Sequence, residues 1–167
     1  KASNKFTVNS IALPTIYFEP AKPTVCAGAS TTIYGRGNAN TWFWMFNKDT
    51  LAQKSSYTAT PTADVTYTLY GSNKFGCTNS VDVPVTVFTA PTIWVDGYSA
   101  ENGVSDSIHV CKYQDVTLSL MGDAASYKWP SGSTSNSISI NDIQLSQNYY
   151  VTGIGANGCT TALKIPV

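Results

Sequence analysis

The stretch TYTLYGSNKFGC at residues 66–77 returns as NYYVTGIGANGC at 148–159, and this recurrence decides the fold. In each copy a tyrosine, Tyr67 or Tyr149, stands ten residues before a cysteine, Cys77 or Cys159. Upstream, Cys26 precedes Trp44 by 18 residues, and Cys111 precedes Trp129 by the same 18. The chain is therefore an internal repeat. Its 167 residues divide into units of roughly 80, near the small end of what folds alone.

Period-2 alternation marks the strands. Val65, Tyr67, Leu69 and Gly71 share one face, as do Thr31, Ile33 and Gly35 in the first copy and Val116, Leu118 and Leu120 in the second. Threonine, serine, valine, tyrosine and isoleucine abound, apolar runs at a period of 3.6 are missing, and glycine, proline and asparagine punctuate the chain every eight to twelve residues. The pattern predicts an all-β chain of two tandem antiparallel β-sandwiches of immunoglobulin type, strung head to tail. The first repeat is placed at 14–90 and the second at 91–167. Residues 1–13 alternate like the closing strand VDVPVTVFTA and are expected to be the final strand of a preceding repeat, so both ends look cut from a longer array. Segment 47–56 is expected to be a looser cover, and the insertion GYSAENGVSD at 97–106 an exposed loop.

Within each sandwich Trp44 and Trp129 fall on the inward face of the third main strand, and Tyr67 and Tyr149 on that of its neighbour. These four are predicted core residues. In TWFWMFN, at 41–47, Phe43 and Met45 point the other way, where the second repeat has Lys128 and Pro130. Phe43 and Met45 are therefore candidate contacts for a sugar ring or a partner protein. Trp94 and Tyr98, near the joint between repeats, are two more.

Charged residues make up only 12% of the chain and the formal net charge is zero, which leaves no basic face for nucleic acid or an anionic membrane. No apolar run is long enough to insert in a bilayer. The four cysteines form no CxxC pair and His109 is the only histidine, so no metal site and no cofactor are expected. Asp96, Glu101, Asp106 and Asp115 gather in number around the insertion, but their spacing matches no calcium loop. No GxSxG motif is present, and no helix is expected after Gly153, Gly155 and Gly158 to complete a phosphate cradle. An enzyme is not expected. One cysteine pair per repeat indicates disulfide bonding in an oxidising, extracellular compartment.

PTVCAGAS, the tryptophan of the third strand, and the paired motifs quoted above resemble the immunoglobulin-like or PKD-like repeats of very large secreted surface proteins of Bacteroidota, gliding-motility adhesins among them. The resemblance implies export by the type IX route and display at the cell surface as a stalk segment that projects a binding tip. Neighbouring repeats of the same polypeptide would be its partners, with surface polysaccharide or another surface protein as further candidates. A polysaccharide- or protein-binding module using the aromatics of the first repeat, and an accessory domain of a secreted hydrolase, are the alternatives. The resemblance also makes Thr50 in DTL and Ser107 in DSI candidate O-glycosylation points.

Habit pairs Cys26 with Cys77 and Cys111 with Cys159. Yet Cys26 precedes one strand and Cys77 follows another, which in an immunoglobulin-type sandwich places them about 20 Å apart, at opposite ends, beyond the ~7 Å reach of a disulfide. In repeats stacked head to tail the lower end of one would face the upper end of the next and bring Cys26 near Cys159, so this bond between repeats is slightly favoured over the two bonds within repeats. It leaves Cys77 and Cys111 without partners in this chain.

Overall fold

A computed structural model describes residues 8–167, and over those residues the chain forms sixteen strands and no helix. It divides between Val87 and Phe88 into two compact units, three residues before the expected boundary.

In the first unit, β1 (Ile16–Glu19), β3 (Thr31–Gly37) and β6 (Ser56–Ala59) form one sheet in the order β1-β3-β6. The second sheet takes β2 (Thr24–Cys26), β4 (Thr41–Phe46), β5 (Asp49–Ala52), β7 (Val65–Ser72) and β8 (Thr78–Phe88) in the order β2-β8-β7-β4-β5. Because side chains alternate across each strand, one set meets between the sheets: Val25, Ile33, Trp44, Ala59, Tyr67, Leu69, Val83 and Val85 form the buried core, with the half-buried Phe18 of β1 and Ala52 of β5 packed against it. Trp42 packs on this core beside Gly35 and Gly71. A β-carbon on Gly35 would lie 3.0 Å from the Trp42 ring, so the missing side chain makes room for it. In the second unit Leu120 stands at the place of Gly35, and the smaller Tyr127 at that of Trp42.

The second unit repeats the plan. One sheet runs β9 (Ile93–Val95), β12 (Val116–Gly122) and β14 (Ser137–Ile140). The other holds β10 (Ala100–Glu101), β11 (Val104–Ser105), β13 (Ser126–Lys128), β15 (Asn148–Ile154) and β16 (Thr160–Pro166) in the order β10-β11-β16-β15-β13. Ile93, Val95, Ile108, Leu118, Leu120, Trp129, Val151, Leu163 and Ile165 fill its core. Each unit is an immunoglobulin-like β-sandwich of a three-stranded and a five-stranded sheet.

Three expectations are corrected. Over residues 8–13 the chain lies in no strand, and the rest of the expected strand at 1–13 falls outside the described residues. Segment 47–56 is not loose: Asn47 and Lys48 adopt positive φ of 48° and 75°, the conformation of a two-residue hairpin turn, and return the chain as β5 alongside β4. The insertion is not an open loop either. Asn102 and Gly103, at φ 51° and 77°, turn β10 into β11, which then pairs parallel to β16.

The segment entering each unit is held in the same way. Gly37 and Gly122 sit at φ near +130°, where a side chain is disfavoured, and a β-carbon there would collide with the carbonyl oxygen of Thr15 or Thr92. The next residue closes a reciprocal pair: Asn38 N–H donates to Thr15 O, and Thr15 N–H to Asn38 Oδ1, with Asp123 and Thr92 doing likewise in the second unit. An asparagine of the turn before the last strand holds the segment further upstream. Asn73 Nδ2 donates to Ala12 O at 3.0 Å, and Asn157 Nδ2 to Thr89 O at 3.0 Å. One step closer, Asn79 Nδ2 donates to Pro14 O and Thr161 Oγ1 to Pro91 O.

Candidate functional site

On the outer face of the five-stranded sheet in the first unit, Phe43, Met45 and Tyr70 stand together, each half-buried. Since Trp44 is wholly buried, alternation turns Phe43 and Met45 outward, where both are half-buried. On β7 the same rule buries Tyr67 and Leu69 and turns Tyr70 outward. Register sets Phe43 opposite Tyr70, and their rings stack with centroids 4.8 Å apart and planes only 2° from parallel. Met45 faces Thr68, whose hydroxyl donates to Asp82 Oδ1 at 3.1 Å.

A register shift between Trp44 and Met45, where β5 pairs with β4, bends this edge of the sheet. Beside it lies an open cavity of about 580 Å³, lined by Asn40, Thr41, Phe43, Thr50, Gln53 and Lys54, with Trp42 completing the wall. Tyr70, on the β7 side, backs one face of the Phe43 ring, and Phe43 also lines the cavity together with residues of β5 and the turn after it. Lys54 is the only ionisable residue among the lining side chains. Tyr70, Asn40, Gln53 and Lys54 are not among the residues predicted from sequence. The outward phase of Tyr70 was readable from the alternation around Tyr67, but its partner across the sheet required the register.

The second unit has no equivalent of the pair of Phe43 and Tyr70, although it has a cavity of about 560 Å³ lined by Trp129, Pro130, Tyr149 and Tyr150 among others. Lys128, Pro130 and Thr152 occupy the places of Phe43, Met45 and Tyr70, and β13 ends at Lys128, at the edge of its sheet. Trp94 and Tyr98 do come together there, in a shallow cavity of about 470 Å³ with Thr92, Gly97 and Ala100. Trp94 lies opposite Met121 on the outer face of its sheet, and Tyr98 packs on the core.

Trp129 is buried and Tyr149 half-buried. Trp129 Nε1 donates to Ser135 O at 2.8 Å, whereas Trp44 Nε1 is buried without a hydrogen-bond partner among the described residues. Thr50 is exposed on β5, in the cavity wall, and Ser107 is exposed outside any strand. Cys26 and Cys159 are disulfide-bonded, while Cys77 is a half-buried and Cys111 an exposed free thiol. Asp96, Glu101, Asp106 and Asp115 are each exposed, and no group of three or more metal-ligating side chains gathers among the described residues.

No family model matches the chain, and no curated protein matches it. Among solved structures it is similar to the insect immune protein hemolin, at 19% identity over 92% of this chain and 46% of that one, with a TM-score of 0.45. It therefore spans about half the length of hemolin. Immunoglobulin domains 1–5 of Sidekick-1 are similar at 14% identity over 95% of this chain and 40% of that one, TM-score 0.45. SGBP-B of the mixed-linkage glucan utilization locus of Bacteroides ovatus, solved with a mixed-linkage heptasaccharide, is similar at 14% identity over 90% and 47%, TM-score 0.35.

Proposed function

We propose that this chain is a structural repeat segment of a secreted bacterial cell-surface adhesin or filament, whose work is to project a binding tip and carry tension along its β units. The observation that carries this reading is the repeated grip on the entering segment. Asn73 and Asn79 in one unit, and Asn157 and Thr161 in the other, bind backbone carbonyls of the residues leading into the first strand. Only four residues separate β8 from β9, and Thr89 and Pro91 among them are already hydrogen-bonded into the second unit. A joint so short, without a glycine or serine spacer, favours a stiff array over freely swivelling beads.

The bonded state of Cys26 and Cys159, beside free Cys77 and Cys111, supports a disulfide from repeat to repeat. It also supports an oxidising, extracellular location. The motif likeness to surface repeats of Bacteroidota supports export by the type IX route, and neighbouring repeats as the standing partners. No catalytic role is proposed.

Backbone ¹⁵N relaxation tests the joint. The two units of the full chain should report one rotational correlation time, and Asn157→Ala with the disulfide reduced should split it into two shorter ones. Independent tumbling of the units in the unmodified, oxidised protein would sink the proposal.

A further inference from the structure

A stalk needs no binding cavity, yet the first unit has one that joins a stacked aromatic pair to a lysine, a combination that the second unit's cavities at Trp94 and at Tyr149 lack. We infer that the Phe43 cavity is a saccharide-binding site that takes an acidic pyranose, of the uronate class, with the sugar ring against Phe43 and its carboxylate paired with Lys54.

Each part of the cavity matches one part of such a ligand. The C–H face of a pyranose is apolar and its hydrogens carry partial positive charge, which suits the negative face of an aromatic ring. Phe43 offers that face already fixed, because the parallel Tyr70 ring behind it restricts its rotation, and less ordering entropy is lost on binding. Asn40, Thr41, Thr50 and Gln53 supply both donors and acceptors, as a ring of hydroxyls requires. Lys54, with no acid among the lining residues, favours an anion over a neutral sugar. The volume, about 580 Å³, suits one or two sugar residues, and the open side allows a chain to pass.

The comparison between units strengthens the assignment. The fold is maintained in the second unit with lysine, proline and threonine at the three positions, so the sandwich itself does not demand Phe43, Met45 or Tyr70. The cavities at Trp94 and Tyr98 and, at about 560 Å³, at Trp129, Tyr149 and Tyr150 are the next candidates, but neither has a charged side chain in its lining to pair with a carboxylate.

The test is a ¹⁵N-edited titration of the full chain, with intact mass confirming an unmodified Thr50. An oligogalacturonate is the acidic probe and a cello-oligosaccharide the neutral one. The acidic probe should shift the amides of Asn40, Thr41, Thr50 and Gln53, and bind at least fivefold more tightly than the neutral probe. Lys54→Gln, an exposed substitution that leaves the fold alone, should remove that preference without weakening the neutral probe. Phe43→Ala should weaken both at least tenfold. No shift in the first unit at millimolar oligogalacturonate, equal affinity for the two probes, or a preference that survives Lys54→Gln would each overturn the inference. Shifts confined to the Trp94 cavity would overturn it as well.

Discussion

Two tryptophans at matching positions show how far a single residue is legible. The period-2 pattern and the shared 18-residue spacing put Trp44 and Trp129 inside, because a large ring on the inward phase of a central strand has nowhere else to go. What the pattern could not contain is the fate of each indole N–H, which depends on a loop carbonyl reached only in three dimensions. Trp129 finds Ser135 O, and Trp44 finds nothing among the described residues. A buried donor left unpaired costs about 1–3 kcal/mol. Trp44→Phe removes that cost along with part of the ring, so it should destabilise its unit by about 1–3 kcal/mol less than Trp129→Phe does, in paired urea unfolding experiments. Tyr67 adds a pH dependence. Burial, and then the neighbouring Tyr57 hydroxyl, raise its pKa above 10.0, so the folded state keeps the proton after the unfolded chain has begun to lose it. The Tyr67 contribution is thus complete below pH 10 and is lost as pH climbs through the folded-state value. Unfolding midpoints of the first unit should fall above pH 10, and Tyr67→Phe should flatten that fall.

At the scale of elements, the main strands were legible because their alternation spans six to eight residues, while the short ones were not. Hairpin β10–β11 has two residues per strand, too few to show any period, and its one signal was the Asn102-Gly103 turn. β5 was hidden more thoroughly. Its turn is Asn47-Lys48, and lysine is a poor marker for a left-handed backbone that glycine would announce. The candidate site inherits this difficulty, since the cavity beside Phe43 exists only because β5 folds back along β4. The same mismatch makes a prediction. Lys48 holds φ of 75°, a conformation costing a non-glycine residue about 1 kcal/mol, so Lys48→Gly should leave the first unit equally stable or up to about 1 kcal/mol more stable by urea unfolding. A loss of more than about 1 kcal/mol would mean that the lysine side chain has a structural task the turn does not reveal.

For the whole molecule, the repeat was visible at once in the spacing of tyrosine, tryptophan and cysteine, but spacing alone could not choose among cysteine pairings. Pulling the oxidised chain by its ends distinguishes them. A bond from Cys26 to Cys159 shields nearly the entire chain from the force, and reduction should release about 450 Å of further extension in the unfolded protein. Bonds within each repeat would instead release about 340 Å in two separate steps. Sheet edges carry a last consequence. In the second unit the five-stranded sheet ends on one side in β10, a mere Ala100–Glu101, and on the other in the three-residue β13. Edges this short, one of them acidic, give an incoming strand almost no ladder to extend. Copies crowded together at high density should accordingly stay soluble and distinct, with no growth of cross-β fibrils to tangle one molecule with the next.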